Sequence, residues 1–296
     1  ENVRLNKIHF HPIESEQTEE RAFRSGQLHV TNSVPTQKIE HYKENEPEAL
    51  RIDPYLGTYY YLLNIDRLPL DNILVRKALS MAIDRKAIVE NVLKGGQLPA
   101  YHFTPPNTAG YTSQNQVESN PEMARKLLAE AGYPNGEGFP AIEILYNTLE
   151  SHQLIAQAIQ EMWKKELNIG VSLINQEWKV FLNTQKEKTF DISRAGWIGD
   201  YNDPNTFLDM WISGGGNNHT GFANAAYDSL IKEASLADDT DSRFSYFQQA
   251  ETILMEQVPV IPIYFYTSLS LIHPSVKGWH PTILDHHPYK AVYLEE

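Results

Sequence analysis

The sequence predicts an α/β fold, a mixed sheet flanked by helices. Two observations carry that reading. Hydrophobic residues make up 41% and aromatics 11% of the 296 residues, an ordinary core-forming composition. From about residue 141 the periodicity switches repeatedly between alternation and helical spacing, the pattern of strands joined by helical crossovers.

In chain order, Val3 to Phe10 reads as a strand. A polar helix ending near Gly26 and a second strand follow. Val75 to Gly96 reads as helix interrupted near Asp84, with Gly95 and Gly96 as the stop. In "NPEMARKLLAEAGY", Asn120 caps, Pro121 opens the first turn, Ala124, Leu127, Leu128 and Ala131 share a face, and Gly132 ends the helix. Strand 141–147 puts Ile142, Ile144 and Tyr146 on one face. A long helix from Ser151 buries Ile155, Ala158, Ile159, Met162 and Trp163 and stops at 168–170. Strand 171–176, a short helix 178–185 and the strand "TFDISRAGW" come next. Asp203 then caps and Pro204 starts a helix through Trp211. Helices at about 225–237 and 241–257 precede the strand "VPVIPIYFY", and the tail from Ser268 reads as strand plus loops.

Composition excludes several classes. The net charge is −13 with no run of Lys and Arg, which argues against nucleic acid or an anionic membrane surface as the main partner. Cysteine is absent, so disulfides and thiolate metal sites are excluded. No apolar stretch approaches the roughly 18 residues of a membrane span, and no signal peptide is visible. With no cysteine and no G-x-S-x-G, a nucleophilic hydrolase lacks its nucleophile motif. His9 with His11, and His286 with His287, lack a third ligand at a telling spacing and read as surface histidines. The "SGGGNN" loop is followed by no Lys-Ser/Thr and reads as a turn, not a phosphate cradle. No cofactor is expected.

In open α/β sheets, ligands bind beyond the carboxyl ends of the strands. Those ends gather Asn147, Ser151 and His152, then Gln176, Glu177 and Trp178, then Arg194, Gly196, Trp197 and Asp200. Arg194 offers a fork for a carboxylate, Asp200 an acceptor for an ammonium, Gly196 a bare backbone, and the tryptophans flat walls. A short peptide, a zwitterion with amides between its ends, would use all of them. The competing reading pairs Arg194 with Asp200 and buries the tryptophans in the core. An enzyme reading would pair Glu177 with Asp200 or Asp191 for hydrolysis of a glycosidic or ester bond.

Several stretches are similar to one family. "PYLGTYYYLLNID" (54–66), the stretch from Val75 to Pro106, "LLAEAGYPNG", the stretch from Leu145 to Trp178 and "FDISRAGWIGDYNDPNTFL" resemble the periplasmic oligopeptide-binding proteins of ABC import systems, their oligopeptide and murein-peptide branch. The resemblance runs over essentially the whole chain and implies a type II periplasmic-binding-protein-like fold. It implies only the C-terminal portion of such a protein: residues 1–56 as a remnant of a discontinuous N-terminal lobe, 57–266 as the C-terminal lobe, and 267–296 as the return to the first lobe. It also implies an extracytoplasmic, periplasmic location, a short peptide ligand, permease partners, no stable membrane insertion and no catalysis. The ligand would be an oligopeptide, or else a murein tripeptide, dipeptide or metal chelate.

By resemblance, Asp200 receives the peptide's α-ammonium, Arg194 and His152 meet the carboxylate or backbone of longer peptides, Trp178 and Trp197 wall pockets, and the Gly196 region offers main-chain hydrogen bonds. Asn32 matches a cleft residue of the other lobe. The chain also departs from the family. Gly57 and Ile198 stand where some members have a disulfide, and Leu62, Leu93 and Gln185 stand where others use charged residues.

Overall fold

Two long antiparallel strands form the spine of the fold. The computed structural model of the chain describes residues 3–295. Helices α1 (Glu16–Arg24) and α2 (Ile39–Asn45) lead into β1 (Leu50–Leu63). Then come α3 (Ile73–Met81), the short α4 (Arg85–Ala87) running into a π turn, β2 (Leu98–Pro99) and α5 (Pro121–Glu130). The crossover unit follows: β3 (Ile142–Asn147), α6 (Glu150–Leu167), β4 (Val171–Gln176), α7 (Trp178–Lys186) and β5 (Ile192–Ile198). After α8 (Asn205–Leu208), α9 (Ala225–Leu236) and α10 (Thr240–Gln257), β6 (Val260–Leu271) returns along β1, and β7 (Val276–Lys277) pairs with β8 (Tyr293–Leu294).

The main sheet has the order β2-β6-β1-β5-β3-β4. β3 runs parallel to β4 and to β5, while β1 is antiparallel to both β5 and β6, so the sheet is mixed as predicted. Register shifts between Pro54 and Thr58 and between Tyr59 and Tyr60 mark bulges that bend the β1–β6 ribbon.

Alternation on β1 divides the core. Tyr59, Tyr61 and Leu63 point to the face covered by α3, α5 and α6, where Trp163 is buried. Tyr60 and Leu62 point to the opposite face, with Phe181 of α7, Phe207 of α8, Tyr227 of α9 and Phe247 of α10. A third cluster, built on Phe23, Ile39, Tyr42, Leu50 and Leu271, gathers α1, α2 and the far ends of β1 and β6. Buried Glu251 of α10 fixes a loop over the second face, accepting from Phe103 N and Thr104 N, both at 2.8 Å, and from the Tyr111 hydroxyl at 2.7 Å.

Several boundaries differ from the expectation. Val3 to Phe10 is not a strand. Val3, Ile8 and Phe10 are exposed, and among the described residues no strand pairs with this segment. The second expected strand reduces to one bridge, Val30 with Ile272. β5 extends to Ile198, because its pairing with β1 runs on to Gly57↔Ile198. Arg194, Gly196 and Trp197 therefore lie within the strand and not beyond its end. The cap of α8 is Pro204 and not Asp203 as expected, and Asp203 has other partners. It accepts from Asn205 N at 2.9 Å and holds Arg243 bidentately at 2.6 and 2.7 Å.

Candidate functional site

β5 has two unlike edges. Toward β1, the flanking bonds Asn64 N to Asp191 O and Gly199 N to Leu56 O fix the phase of the ladder. With the continuous register between them, residues 193, 195 and 197 direct their N–H and C=O groups to β1, and 194, 196 and 198 direct theirs away. On that far side β3 pairs only with Ile192 and Ser193. Among the described residues, the main-chain groups of Gly196 and Ile198 therefore face no strand. Gly196 is exposed. A Cβ there would lie 2.4 Å from the Tyr266 hydroxyl, so only glycine admits Tyr266.

Beside this edge sits a cation without an anion. Arg194 donates from Nη1 to Asn147 Oδ1 at 3.2 Å and from Nη2 to the Tyr266 hydroxyl at 3.0 Å. Its guanidinium carbon stands 4.8 Å from the centre of the Tyr59 ring, and among the described residues its buried Nε has no partner. Arginine stays charged at any relevant pH, and every partner here is neutral. His152, 6% exposed at the start of α6, approaches the Tyr59 hydroxyl with Nδ1 at 3.4 Å. Burial, and then the Arg194 charge, hold its pKa well below the ordinary 6.5, so the imidazole is neutral at pH 7. The cluster therefore carries one uncompensated positive charge, which favours a carboxylate.

The acid lies at the other end. Asp200 is exposed just past β5, with its N–H on Thr206 Oγ1 at 3.1 Å. Among the described residues its carboxylate makes no ion pair, so the pairing with Arg194 weighed from sequence does not form. Thr206 Oγ1 also receives the Trp197 Nε1 donor at 3.4 Å, which ties that indole to the same turn. Trp178 is 50% exposed at the start of α7, stacked on Phe181 with ring centres 5.8 Å apart.

The structure thus groups Arg194, His152 and Gly196 through Tyr59 and Tyr266, and Trp197 with Asp200 through Thr206. Trp178 stands apart, at the end of β4. Asn32 joins neither group; its N–H donates to Glu19 Oε1 at 2.6 Å. Two of the three carboxylates of the enzyme reading, Asp191 and Glu177, are otherwise engaged. Asp191 accepts from Arg67 at 2.9 Å and from Glu143 N at 3.1 Å, and Glu177 caps α7 by accepting from Lys179 N at 3.1 Å. Among the described residues no three His, Asp or Glu side chains come close enough to hold a metal. Sequence reasoning gathered Asn147 at a strand end but missed Tyr59 and Tyr266. The run of three tyrosines at 59–61 was a usable signal, since a buried phenol needs a polar partner.

Residues 1–219 match the family model described as the bacterial extracellular solute-binding proteins, family 5 middle. The chain is 41% identical to the periplasmic murein peptide-binding protein MppA of Escherichia coli, over 93% of this chain and 52% of that protein. It is 39% identical to the periplasmic oligopeptide-binding protein OppA of Salmonella typhimurium, again over 93% and 52%. It superposes on Haemophilus influenzae OppA in complex with the peptide RPPGFSPFR with a TM-score of 0.92 at 34% identity, covering 99% of this chain and 59% of that one. The chain thus spans about half the length of the curated relatives it matches.

Proposed function

The chain belongs to family 5 of the bacterial extracellular solute-binding proteins, and from that premise we propose that it binds short peptides as part of a protein that hands them to an ABC transporter permease. The observation that carries this reading is Arg194. Its charge sits part-buried among neutral partners, beside an open strand edge that ends at an unpaired Asp200. A peptide lying antiparallel along β5 would set its ammonium at Asp200 and its carboxylate toward Arg194. Between them, its backbone would pair with Gly196 and Ile198. Asn147 and the Tyr266 hydroxyl steady the guanidinium, His152 would meet the carboxylate or backbone of longer peptides, and Trp197 and Trp178 wall the spaces into which side chains project.

We assign residues 57–266 to one lobe, and 1–56 with 267–296 to part of a second. The third core cluster supports that division, because it draws only on residues before 57 and after 267. Asn32 belongs to this second part and would approach the ligand from across the cleft. The protein works outside the cytoplasm, in the periplasm, as the names of the relatives suggest, and the chain performs no chemistry on its ligand.

Substitution at Asp200 tests the reading. In the complete protein, Asp200→Ala weakens binding of free-amine peptides about 10–100-fold, the scale of one charge-assisted hydrogen bond. Peptides acetylated at the N-terminus lose little. Equal losses for both would remove Asp200 from the ammonium site.

A further inference from the structure

The open edge of β5 is shorter than its geometry allows, and one side chain shortens it. Arg194 is the third residue whose main chain points away from β1, after Ile198 and Gly196. A strand pairing along this edge would therefore reach the Arg194 carbonyl next. That carbonyl is taken. Gln185, in the last turn of α7 and 8% exposed, donates from Nε2 to Arg194 O at 2.9 Å and to Ser193 Oγ at 2.9 Å. Ser193 Oγ in turn lies 3.3 Å from the same Arg194 oxygen. A carbonyl oxygen has two lone pairs, and here two donors from the protein itself reach it. Both hydrogens of the Gln185 amide are also used, so it is held firmly in place.

We infer that Gln185 ends the ladder, so that the ligand residue facing Arg194 contributes no backbone N–H to the protein. This specificity rests on the peptide-binding reading above. In an antiparallel pairing, the ligand residues facing Ile198 and Gly196 each exchange an N–H and a C=O with the protein. The ligand residue two places nearer the carboxyl end faces Arg194 and meets an acceptor already occupied. The site therefore takes peptides with a tertiary amide at that place, proline or an N-methylated residue, and discriminates against the same change two residues earlier. Gln185 is a positioning residue. It fixes where backbone recognition stops and where the Arg194 guanidinium takes over.

An N-methyl scan of hexaalanine on the complete protein tests this. The expected pattern is a loss of roughly tenfold or more at the residue paired with Gly196, since a hydrogen bond is broken and an acceptor is left bare. Two residues later the change stays within about threefold of the unmodified peptide. In Gln185→Ala that later position becomes sensitive, while the earlier one is unchanged. Equal sensitivity at both positions in the unaltered protein overturns the inference, and so does a scan that Gln185→Ala leaves untouched. If no unmodified peptide binds, the peptide-binding reading falls with it. An independent measurement needs no ligand: in this chain the Gln185 side-chain amide protons exchange slowly with solvent. Exchange as fast as that of an exposed glutamine overturns the role of Gln185 and leaves the peptide-binding reading standing.

Discussion

An arginine whose partners are a tyrosine hydroxyl, an amide oxygen and an aromatic face keeps its full charge and asks for an anion. Around Arg194 that demand shapes the neighbouring groups. His152 lies close enough to feel it, and burial together with the Arg194 charge keeps the imidazole neutral. The linkage has a definite sign. In the unfolded chain His152 takes up a proton near pH 6.5, and in the fold it does so only well below that value. The unfolded state therefore binds more protons as pH falls through 6.5, and stability present above that pH is lost below it. Buried His102 and half-buried His219 are shifted in the same direction, by desolvation first. His152→Asn is expected to flatten the acid limb of the unfolding free energy against pH, measured by denaturant titration, by at most about 1.4 kcal/mol per pH unit. An unchanged slope would show that His152 is protonated in the fold. At this scale the sequence was partly legible. Arg194, Gly196, Trp197 and Asp200 stand close together in one segment, and their mixture of types does not suit a core. Asn147 was gathered with them as a strand-end residue, whereas Tyr59 on β1 and Tyr266 on β6 join them only through the sheet order, which no local pattern encodes.

Strands and helices were read more securely than single contacts. α5, α6, α7 and the parallel strands β3 and β4 announce themselves through caps and periodicity, and the structure keeps them within a residue or two. β1 was harder, since Tyr59 to Leu63 is buried on both faces and shows no alternation. Val3 to Phe10 was misread for a different reason: a short run of mixed apolar and polar residues makes a strand only where a ladder partner exists. Pairing explains the Gly57 and Ile198 positions too. They are direct partners, and a Cβ on Gly57 would come 2.4 Å from Ile198 Cδ1, so the isoleucine fills the space the glycine leaves. Theirs is a non-hydrogen-bonded pair, with Cα atoms about 4.5 Å apart in such ladders, inside the range a disulfide spans. Gly57→Cys with Ile198→Cys should cross-link under mild oxidation and raise stability by about 3 kcal/mol, the scale for closing a long loop. Gly57→Ala alone should lower it by roughly 1–3 kcal/mol through overpacking. Melting of both variants, with a thiol count on the first, checks the register; free thiols after oxidation would contradict it.

Across the whole molecule, β1 and β6 pass from the large sheet, with its two core faces, into the smaller third cluster. The open edge of β5 lies on the large side and, in the proposed reading, forms one wall of a site. A ligand held tightly is usually enclosed on most of its surface, and a single wall recovers only part of that burial. The chain by itself should therefore bind peptides weakly, in the millimolar range, where about 4 kcal/mol is gained. Binding should nonetheless occur at the same edge. The most direct measurement is an NMR titration of the isotopically labelled chain with tetraalanine. The account predicts fast-exchange shifts that saturate at millimolar peptide and are largest at the amides of Gly196 and Ile198, with the Arg194 Nε resonance moving alongside. Shifts centred elsewhere, or none at Gly196 and Ile198 at saturation, would contradict the claim that this edge is where the chain meets its ligand.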